Sequence, residues 1–559
     1  MALTRDEATA QLTGPGAEFE IVEMPIRGVL TRVFRAGPAT LVDTLETSRQ
    51  FGDRTFVVYE DESWTFAEHY ALVARLAHRL VDDFGVRPGD RVAIAMRNYP
   101  EWIATFWATA AAGAISVPLN AWWTAGELEY ALSDSGATVL VADEARARSL
   151  DGHLGATSVG TRIVVRGDVP GWLPFGEVVS GPGPAELPRV GIAPDDDATI
   201  FYTSGTTGVP KGAVGTHRNI CTITANAAFA MARGALQAGK ELTPPIERPQ
   251  AGRLLSVPLF HVTGCHATMV GSTAAGSKLV MMYRWDPERA IELIERERLT
   301  TFGGVPSMVW EVLESPTFAD HDLSSVTSIG YGGAPAPPEL VRRIGQHFPV
   351  AAPGNGYGLT ETSSVAVSNG GADYIRKPHS IGLPLEVVEL RVVDPAGIDL
   401  SPGEVGELLI KGPNVVRGYW NKPAETAEAF VDGWLHTGDL ASIDDEGFVT
   451  IADRAKDVVI RGGENVYCAE VEGVLYEHPA ITEATVLGVP HRILGEEVGA
   501  VIVLRPGCAA TAEELQAHVR EHLAGFKVPT HIWFRAEPLP RNPAGKVLKR
   551  ELREELAAS

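Results

Sequence analysis

The sequence predicts a layered α/β fold in two unequal parts. Between residues 91 and 142, short apolar runs alternate with helix-spaced segments, the pattern of parallel strands joined by helices. After Asp457 the alternation returns on a smaller scale. At 559 residues the chain can bury a large core and hold several units at ~150 residues each. No repeat period or low-complexity block interrupts it.

Residues 1–38 show no clear periodicity and read as an irregular extension. A helix pattern begins at Thr40. Segments 55–59 and 64–66 read as a hairpin across Glu60-Asp61-Glu62, and 67–84 as a helix stopping at Gly85. Strands at 91–96, 114–119 and 137–142 alternate with helices near 101–112 and 125–135. Residues 198–202 are β-like. The polar, Pro-containing stretch 234–252 reads as a surface loop, and 440–443 with 448–451 as a hairpin around Asp444-Asp445-Glu446-Gly447. Beyond Asp457 come a helix near 470–477 and strands near 481–488 and 498–504. Thr511 and Glu514 form a capping box for a helix ending before Gly525. A boundary near Lys456 then divides an extension (1–38), a large domain (39–455) and a C-terminal domain (456–559).

Hydrophobic residues at 45% and charged residues at 21% exclude a disordered chain, a collagen and a coiled coil. The 58 glycines and 38 prolines imply many tight turns. A net charge of −23 argues against nonspecific nucleic-acid or anionic-membrane binding. Anionic small substrates stay open, because local charges dominate within a Debye length of ~8 Å. Cys221, Cys265, Cys468 and Cys508 form no C-x-x-C pair, which fits a reducing cytoplasm. The N-terminus has no basic and apolar leader pattern. Segments 103–126 and 254–277 lack charged residues, but Pro118, Asn120, Pro258, His261 and His266 interrupt them. They read as buried core, so no integral membrane segment is expected. The oligomeric state is not readable, and a homodimer is compatible with the sequence.

The strongest chemical signal is the run from Tyr202 and Thr203 through Ser204-Gly205-Thr206-Thr207-Gly208 to Lys211. Glycines let backbone N–H groups approach an anion, hydroxyls add donors and the lysine adds charge, which together suit a phosphate. A bare Ser/Thr/Gly surface loop is the bland alternative, and the hydroxyl density and flanking strand weigh against it. Lys211 is followed by Gly212, so this is not a Walker A loop.

The loop resembles the phosphate loop of the adenylate-forming superfamily: acyl-CoA synthetases, adenylation domains and beetle luciferases. The resemblance runs from about Thr40 to Leu552, with motifs in the family's order. It implies a large N-terminal domain of layered sheets with a small β-barrel subdomain, and a mobile α+β C-terminal domain. Gly332, Gly333, Ala334 and Pro335 resemble the segment lining adenine. In Asn355-Gly356-Tyr357-Gly358-Leu359-Thr360-Glu361, the tyrosine would cover adenine, Thr360 meet the α-phosphate and Glu361 hold Mg²⁺. A carboxylate is a hard oxygen ligand suited to phosphate-bound magnesium. Asp439 and Arg454 would hold the ribose, and Lys546 would be the catalytic lysine. Alone, these residues would pass for a helix cap, a turn and solvated surface; Lys549 and Arg550 keep the surface reading. Lys456 matches the hinge. Gly462, Gly463 and Glu464 match the loop along the thiol tunnel, and Phe526 a segment near the CoA nucleotide.

His261 stands where acyl- and aryl-CoA ligases carry histidine, and the aspartate of amino-acid-activating relatives is absent. A metal site at His261, Cys265 and His266 lacks a fourth ligand. Gly264, Ala267, Gly271 and Ala274, spaced three, four and three apart, would share one face of a helix. That face serves either close packing or an acyl pocket, the latter formed with His261, Cys265 and Gly332 and with Met269 nearby. The resemblance thus implies an ATP-, Mg²⁺- and CoA-dependent ligase of a small-molecule carboxylic acid, fatty or otherwise apolar. Loading of a carrier protein, a luciferase-like oxygenase and a non-catalytic nucleotide binder are the alternatives.

Overall fold

The computed structural model describes residues 2–203, 210–334, 336–542 and 545–558. Two large sheets carry most of the chain. The first has seven strands in the order Lys211–Thr216, Asp197–Thr203, Ile115–Pro118, Arg91–Ala95, Val139–Asp143, Thr161–Val165 and Leu173–Pro174. It is parallel except at the Lys211–Thr216 edge. Its central strands are continuous apolar runs because helices cover both faces.

The second sheet has nine strands. Six parallel strands run in the order Thr55–Tyr59, Lys278–Met281, Gly252–Leu255, Thr301–Gly304, Ser328–Gly332 and Ala352–Leu359. Parallel strands end at a common edge, where ligand sites of open α/β sheets form. The main core joins the two sheets: Val92 and Ile94 of the first share a cluster with Phe56, Leu255 and Met281 of the second. Helix Pro100–Ala111 lies in this layer, with proline at its first turn and Trp102 and Trp107 fully buried. A second cluster covers the far face of the nine-stranded sheet with helices Pro287–Arg296, Pro306–Leu313 and Pro338–His347.

Two smaller sheets complete the chain. Where the barrel subdomain is expected stands a five-stranded antiparallel sheet built on Trp434–Ile443, which pairs with Gly406–Lys411 and Val449–Arg454. In the C-terminal region, Ile481–His491 and Gly495–Leu504 form a long antiparallel pair, with His531–Arg535 added in parallel. Helices Cys468–Glu477 and Ala512–His522 pack on it, the latter opened by the predicted Thr511–Glu514 capping box. Cys221, Cys265 and Cys468 are buried free thiols, and Cys508 is exposed. No described helix is long and apolar enough to cross a membrane.

Two expectations need correction. Residues 1–38 are not irregular: Arg5–Thr13 is a helix with its own capping box, and Ile21–Ile26 pairs with Val29–Phe34. Phe19 and Leu12 pack on Phe229, a tertiary contact that no local periodicity announces. Nor is 234–252 wholly loop, because helix His217–Gln237 runs into it, a 3₁₀ turn follows at Pro245–Glu247, and Gly252 already opens a strand.

Backbone approaches constrain the parallel edge. A Cβ at Gly303 would lie 1.6 Å from the Gly330 carbonyl oxygen on the neighbouring strand. Gly303→Ala should therefore destabilise the protein by roughly 2–4 kcal/mol, read as a lowered urea midpoint. An unchanged midpoint would show that these strands can part at no cost.

Candidate functional site

The site lies at the C-terminal ends of the parallel strands of the nine-stranded sheet. Ser328–Gly332 delivers Gly332, followed by Gly333, at φ +77, and Ala334. Ala352–Leu359 delivers Asn355, Gly356, Tyr357 and Gly358. A Cβ at Gly332 would lie 2.2 Å from the Gly356 oxygen, so the two strands touch backbone to backbone here. Ser204, Gly205, Thr206, Thr207, Gly208 and Pro335 lie outside the described residues. The ends of the predicted phosphate loop are described: Thr203 closes one strand and donates its hydroxyl to the Lys211 carbonyl at 3.4 Å, and Lys211 opens the next.

Thr360 and Glu361 sit in a single 3₁₀ turn, Thr360–Thr362. Ser363 and Ser364 follow at φ 56 and 116, positions that cost non-glycine residues of order 1–3 kcal/mol each. Several contacts hold them. The Thr362 hydroxyl donates to the Ser364 carbonyl at 2.8 Å, the Asn414 amide donates to the Thr362 carbonyl at 3.2 Å, and Val416 N–H donates to the Glu361 carbonyl at 2.9 Å. His266 Nδ1 stands 3.0 Å from the Ser363 carbonyl, which requires the Nδ1–H tautomer. The Glu361 carboxylate is thus presented by a strained turn with little freedom.

Asp439 and Arg454 face each other across an antiparallel pair of strands. Asp439 is 3% exposed. Tyr357 donates its hydroxyl to Asp439 Oδ2 at 2.6 Å, and Arg454 Nε lies 3.1 Å from Oδ1. The arginine is not aligned for a hydrogen bond, and Oδ1 has no donor among the described residues. Burial and the adjacent carboxylate push the Tyr357 phenol well above its ordinary pKa, so it stays a donor. A buried carboxylate oxygen without a donor suits a ligand hydroxyl.

Lys546, in the C-terminal domain, lies within electrostatic reach of this pair. Its turn is self-braced: Asn542 Oδ1 accepts from Lys546 N–H at 2.9 Å, Asn542 N–H donates to the Lys546 carbonyl at 2.9 Å, and Arg541 donates to the Gly545 carbonyl at 2.8 Å. Gly545 has φ +79, and a Cβ there would lie 2.6 Å from Val305 Cγ2 in the large domain, so only glycine lets the turn seat this closely. Burial lowers the Lys546 pKa to about 8, with Arg454 and Lys456 adding to the shift and Asp457 and Asp439 opposing it. Lys549 departs from its surface reading. It pairs with Glu472 at 2.9 Å; burial pulls its pKa down, but Glu472, Cys468 and Asp453 together raise it above the ordinary lysine value.

The other predicted residues fall into separate groups. Lys456 follows the strand Val449–Arg454. Gly462 and Gly463, at φ 61 and 93, turn the chain between Val459–Arg461 and Glu464–Val466, with Glu464 exposed. Phe526 lies in the turn Gly525–Lys527, against the C-terminal core. His261, with Nε2 buried and without a partner among the described residues, is pushed down to about 4 by burial.

The segment after His261 is not a plain α-helix. Residues Thr263–Val270 are wound as a π-helix before α-helix Gly271–Ala275. The wider turn breaks the single face expected of the small residues. A Cβ at Gly264 would lie 2.3 Å from the Pro258 oxygen, which is close packing, whereas one at Gly271 would meet only the His266 oxygen at 3.9 Å. Cys265 and Met269 have no exposed surface and belong to the core rather than to a pocket wall.

The sequence reading missed two features. A cavity of ≈ 200 Å³ lies between the domains, lined by Arg97, Phe260, Tyr283, Met308, Arg541 and Gly545 among others. Tyr419 donates to Glu361 Oε1 at 2.8 Å, and no motif spacing marks it. Only its place in Gly418-Tyr419-Trp420, a glycine beside two aromatics, offered a signal.

The chain resembles known proteins in sequence and fold. The family model "AMP-binding enzyme" matches residues 45–420, and "AMP-binding enzyme C-terminal domain" matches 470–546. A feruloyl-CoA synthase of Amycolatopsis sp is 37% identical over 503 residues, covering 89% of this chain and 95% of that protein. A long-chain-fatty-acid–CoA ligase of Bacillus subtilis is 35% identical over 548 residues, covering 91% and 93%. The anthranilate CoA ligase AuaEII, solved with anthranoyl-AMP, superposes with a TM-score of 0.84 at 26% identity, covering 93% and 98%.

Lys546 should titrate near pH 8, against ~10.4 for an ordinary lysine. NMR of reductively ¹³C-methylated protein, with Lys546→Arg assigning the resonance, reads this directly. A midpoint above 10 would show that the ammonium is solvated.

Proposed function

The chain belongs to the AMP-binding enzyme family and is an acyl-CoA synthetase, and we propose that it ligates an apolar carboxylic acid, fatty or cyclic, to coenzyme A in two steps. The observation that carries this is the seating of the Lys546 turn, through Gly545, against Val305 of the large domain, within electrostatic reach of the Asp439–Arg454 pair. In the first step the acid's carboxylate attacks the α-phosphate of ATP, forming acyl-adenylate and releasing pyrophosphate. Asp439 Oδ1 accepts from a ribose hydroxyl, Tyr357 covers the adenine, and Lys211 and Thr360 contact phosphates. Glu361 would hold Mg²⁺, which supplies charge neutralisation on the phosphates. One carboxylate with phosphate oxygens is an ordinary magnesium set, and Tyr419 touches both Glu361, through its hydroxyl, and Lys211, through its ring. Lys546 stabilises charge on the α-phosphate. In the second step the C-terminal domain (456–559) turns about Lys456 and withdraws Lys546. The loop at Gly462, Gly463 and Glu464, with Phe526, then accompanies the CoA thiol, which attacks the mixed anhydride to give thioester and AMP.

An apolar acid is favoured by the charge-free segment 254–277, which offers no carboxylate to an α-ammonium. Ala267 and Gly271 carry little side-chain bulk, and a Cβ at Gly271 would meet only the His266 oxygen at 3.9 Å; with His261 and Gly332 they would line the acyl site.

Lys546→Ala should slow adenylation ~10²–10³-fold and leave thioester formation from supplied acyl-adenylate near wild type. Pyrophosphate release and thioester formation, measured separately, check this; equal loss in both defeats the assignment. If a carrier protein accepted the acyl group and CoA did not, the acceptor would be reassigned.

Ala267→Leu and Gly271→Leu should penalise long or bulky acids selectively, by ~1–3 kcal/mol in kcat/KM. Gly264→Leu should instead destabilise the fold, since its space is filled by backbone. A uniform loss across an acyl series would favour packing, and a preference for amino acids would overturn the substrate class.

A further inference from the structure

Tyr419 is fixed from three sides. Its peptide segment lies along the strand Lys211–Thr216, with Val214 N–H donating to the Gly418 carbonyl at 2.9 Å and Trp420 N–H donating to the Gly212 carbonyl at 2.7 Å. Ala213 and Tyr419 form an antiparallel bridge. Tyr419 N–H donates to the Thr426 hydroxyl at 2.9 Å, and the ring packs edge-on against Phe430 with centroids 5.7 Å apart. Neither the backbone nor the ring is free to swing.

This fixed side chain meets both charged groups of the phosphate side. Its hydroxyl donates to Glu361 Oε1 at 2.8 Å, and the Lys211 ammonium sits 5.4 Å from its ring centroid. That distance is within cation–π range. No Lys211–Glu361 ion pair forms among the described residues. A carboxylate and an ammonium held by one shared side chain would gain by moving into direct contact, since attraction rises steeply as water is excluded. Such a pair would consume the donors of one and the lone pairs of the other. The phenol satisfies one carboxylate oxygen through a single hydrogen bond, and its π face holds the ammonium without using an N–H donor.

We infer that Tyr419 is a positioning residue that keeps Lys211 and Glu361 apart and directed toward the β- and γ-phosphates of the nucleotide. This rests on the proposal that the site binds ATP. AMP, lacking those phosphates, tests the difference.

The experiment is calorimetric titration of the full-length protein with MgATP and with AMP, in the absence of acid and CoA, with melting curves for each variant. Tyr419→Phe removes the donated hydrogen bond and keeps the ring. It should weaken MgATP roughly 10-fold, as expected for loss of a hydrogen bond to a charged group, while AMP affinity and the melting midpoint stay at wild-type values. Tyr419→Leu, which also removes the π face, should weaken MgATP by about another 3-fold. Because the phenol acts through Glu361, the losses in Tyr419→Phe and Glu361→Gln should not add in the double variant. Wild-type MgATP affinity in Tyr419→Phe, an equal loss for MgATP and AMP, or additive losses would each overturn the inference. Failure of the wild-type protein to bind either nucleotide would instead remove the ATP reading itself.

Discussion

The buried Asp439 carboxylate is the interaction on which the rest of the site depends. Taking such a charge out of water costs several kcal/mol unless partners compensate. Its partners come from different sheets: the Tyr357 hydroxyl from the nine-stranded sheet and Arg454 from the neighbouring strand of the five-stranded one. Satisfying this carboxylate ties together two sheets that also share an apolar core, from Ala366 and Val367 on one to Leu408, Ile410 and Val449 on the other. Lys546 lies within electrostatic reach of both, Asp439 favouring its charged form and Arg454 opposing it. The ammonium arrives in surroundings that neither repel it outright nor neutralise it.

Close backbone contact plays the complementary part. Gly332, Gly358 and Gly545 each stand where a Cβ would strike a neighbour: the Gly356 oxygen, the Ser364 oxygen and Val305. The first two draw adjacent chain segments together beneath the predicted nucleotide site. The third seats one domain on the other. Side-chain charge sets what the site attracts, and missing side chains set how near it can come.

Much of this was legible in the sequence, for physical reasons. Helix 125–135 and the Thr511–Glu514 cap were readable because their signals are local, a polar cap and a 3.6-residue period. The alternation of residues 91–142 gave the parallel sheet for the same reason. What escaped was decided at long range. Residues 1–38 are ordered by packing on Phe229, and the surface reading of Lys549 fails because Glu472, 77 positions earlier, lies beside it. The π-helical winding at Thr263–Val270 leaves no mark in residue type, since α- and π-turns accept the same small and apolar residues. Motif order located Asp439, Arg454 and Lys546 individually. Tyr419 joins two motifs without belonging to the chemistry of either.

The distribution of thiols gives the molecule a native handle. Cys221, Cys265 and Cys468 are enclosed, with at most 4% exposure, while Cys508 stands exposed between the strand Gly495–Leu504 and the helix Ala512–His522. Buried thiols with raised pKa values react slowly. A maleimide dye or spin label added to the unaltered protein would attach at this one point on the C-terminal domain. The natural sequence thus provides a single-site optical probe of that domain's orientation, with no cysteine to remove beforehand.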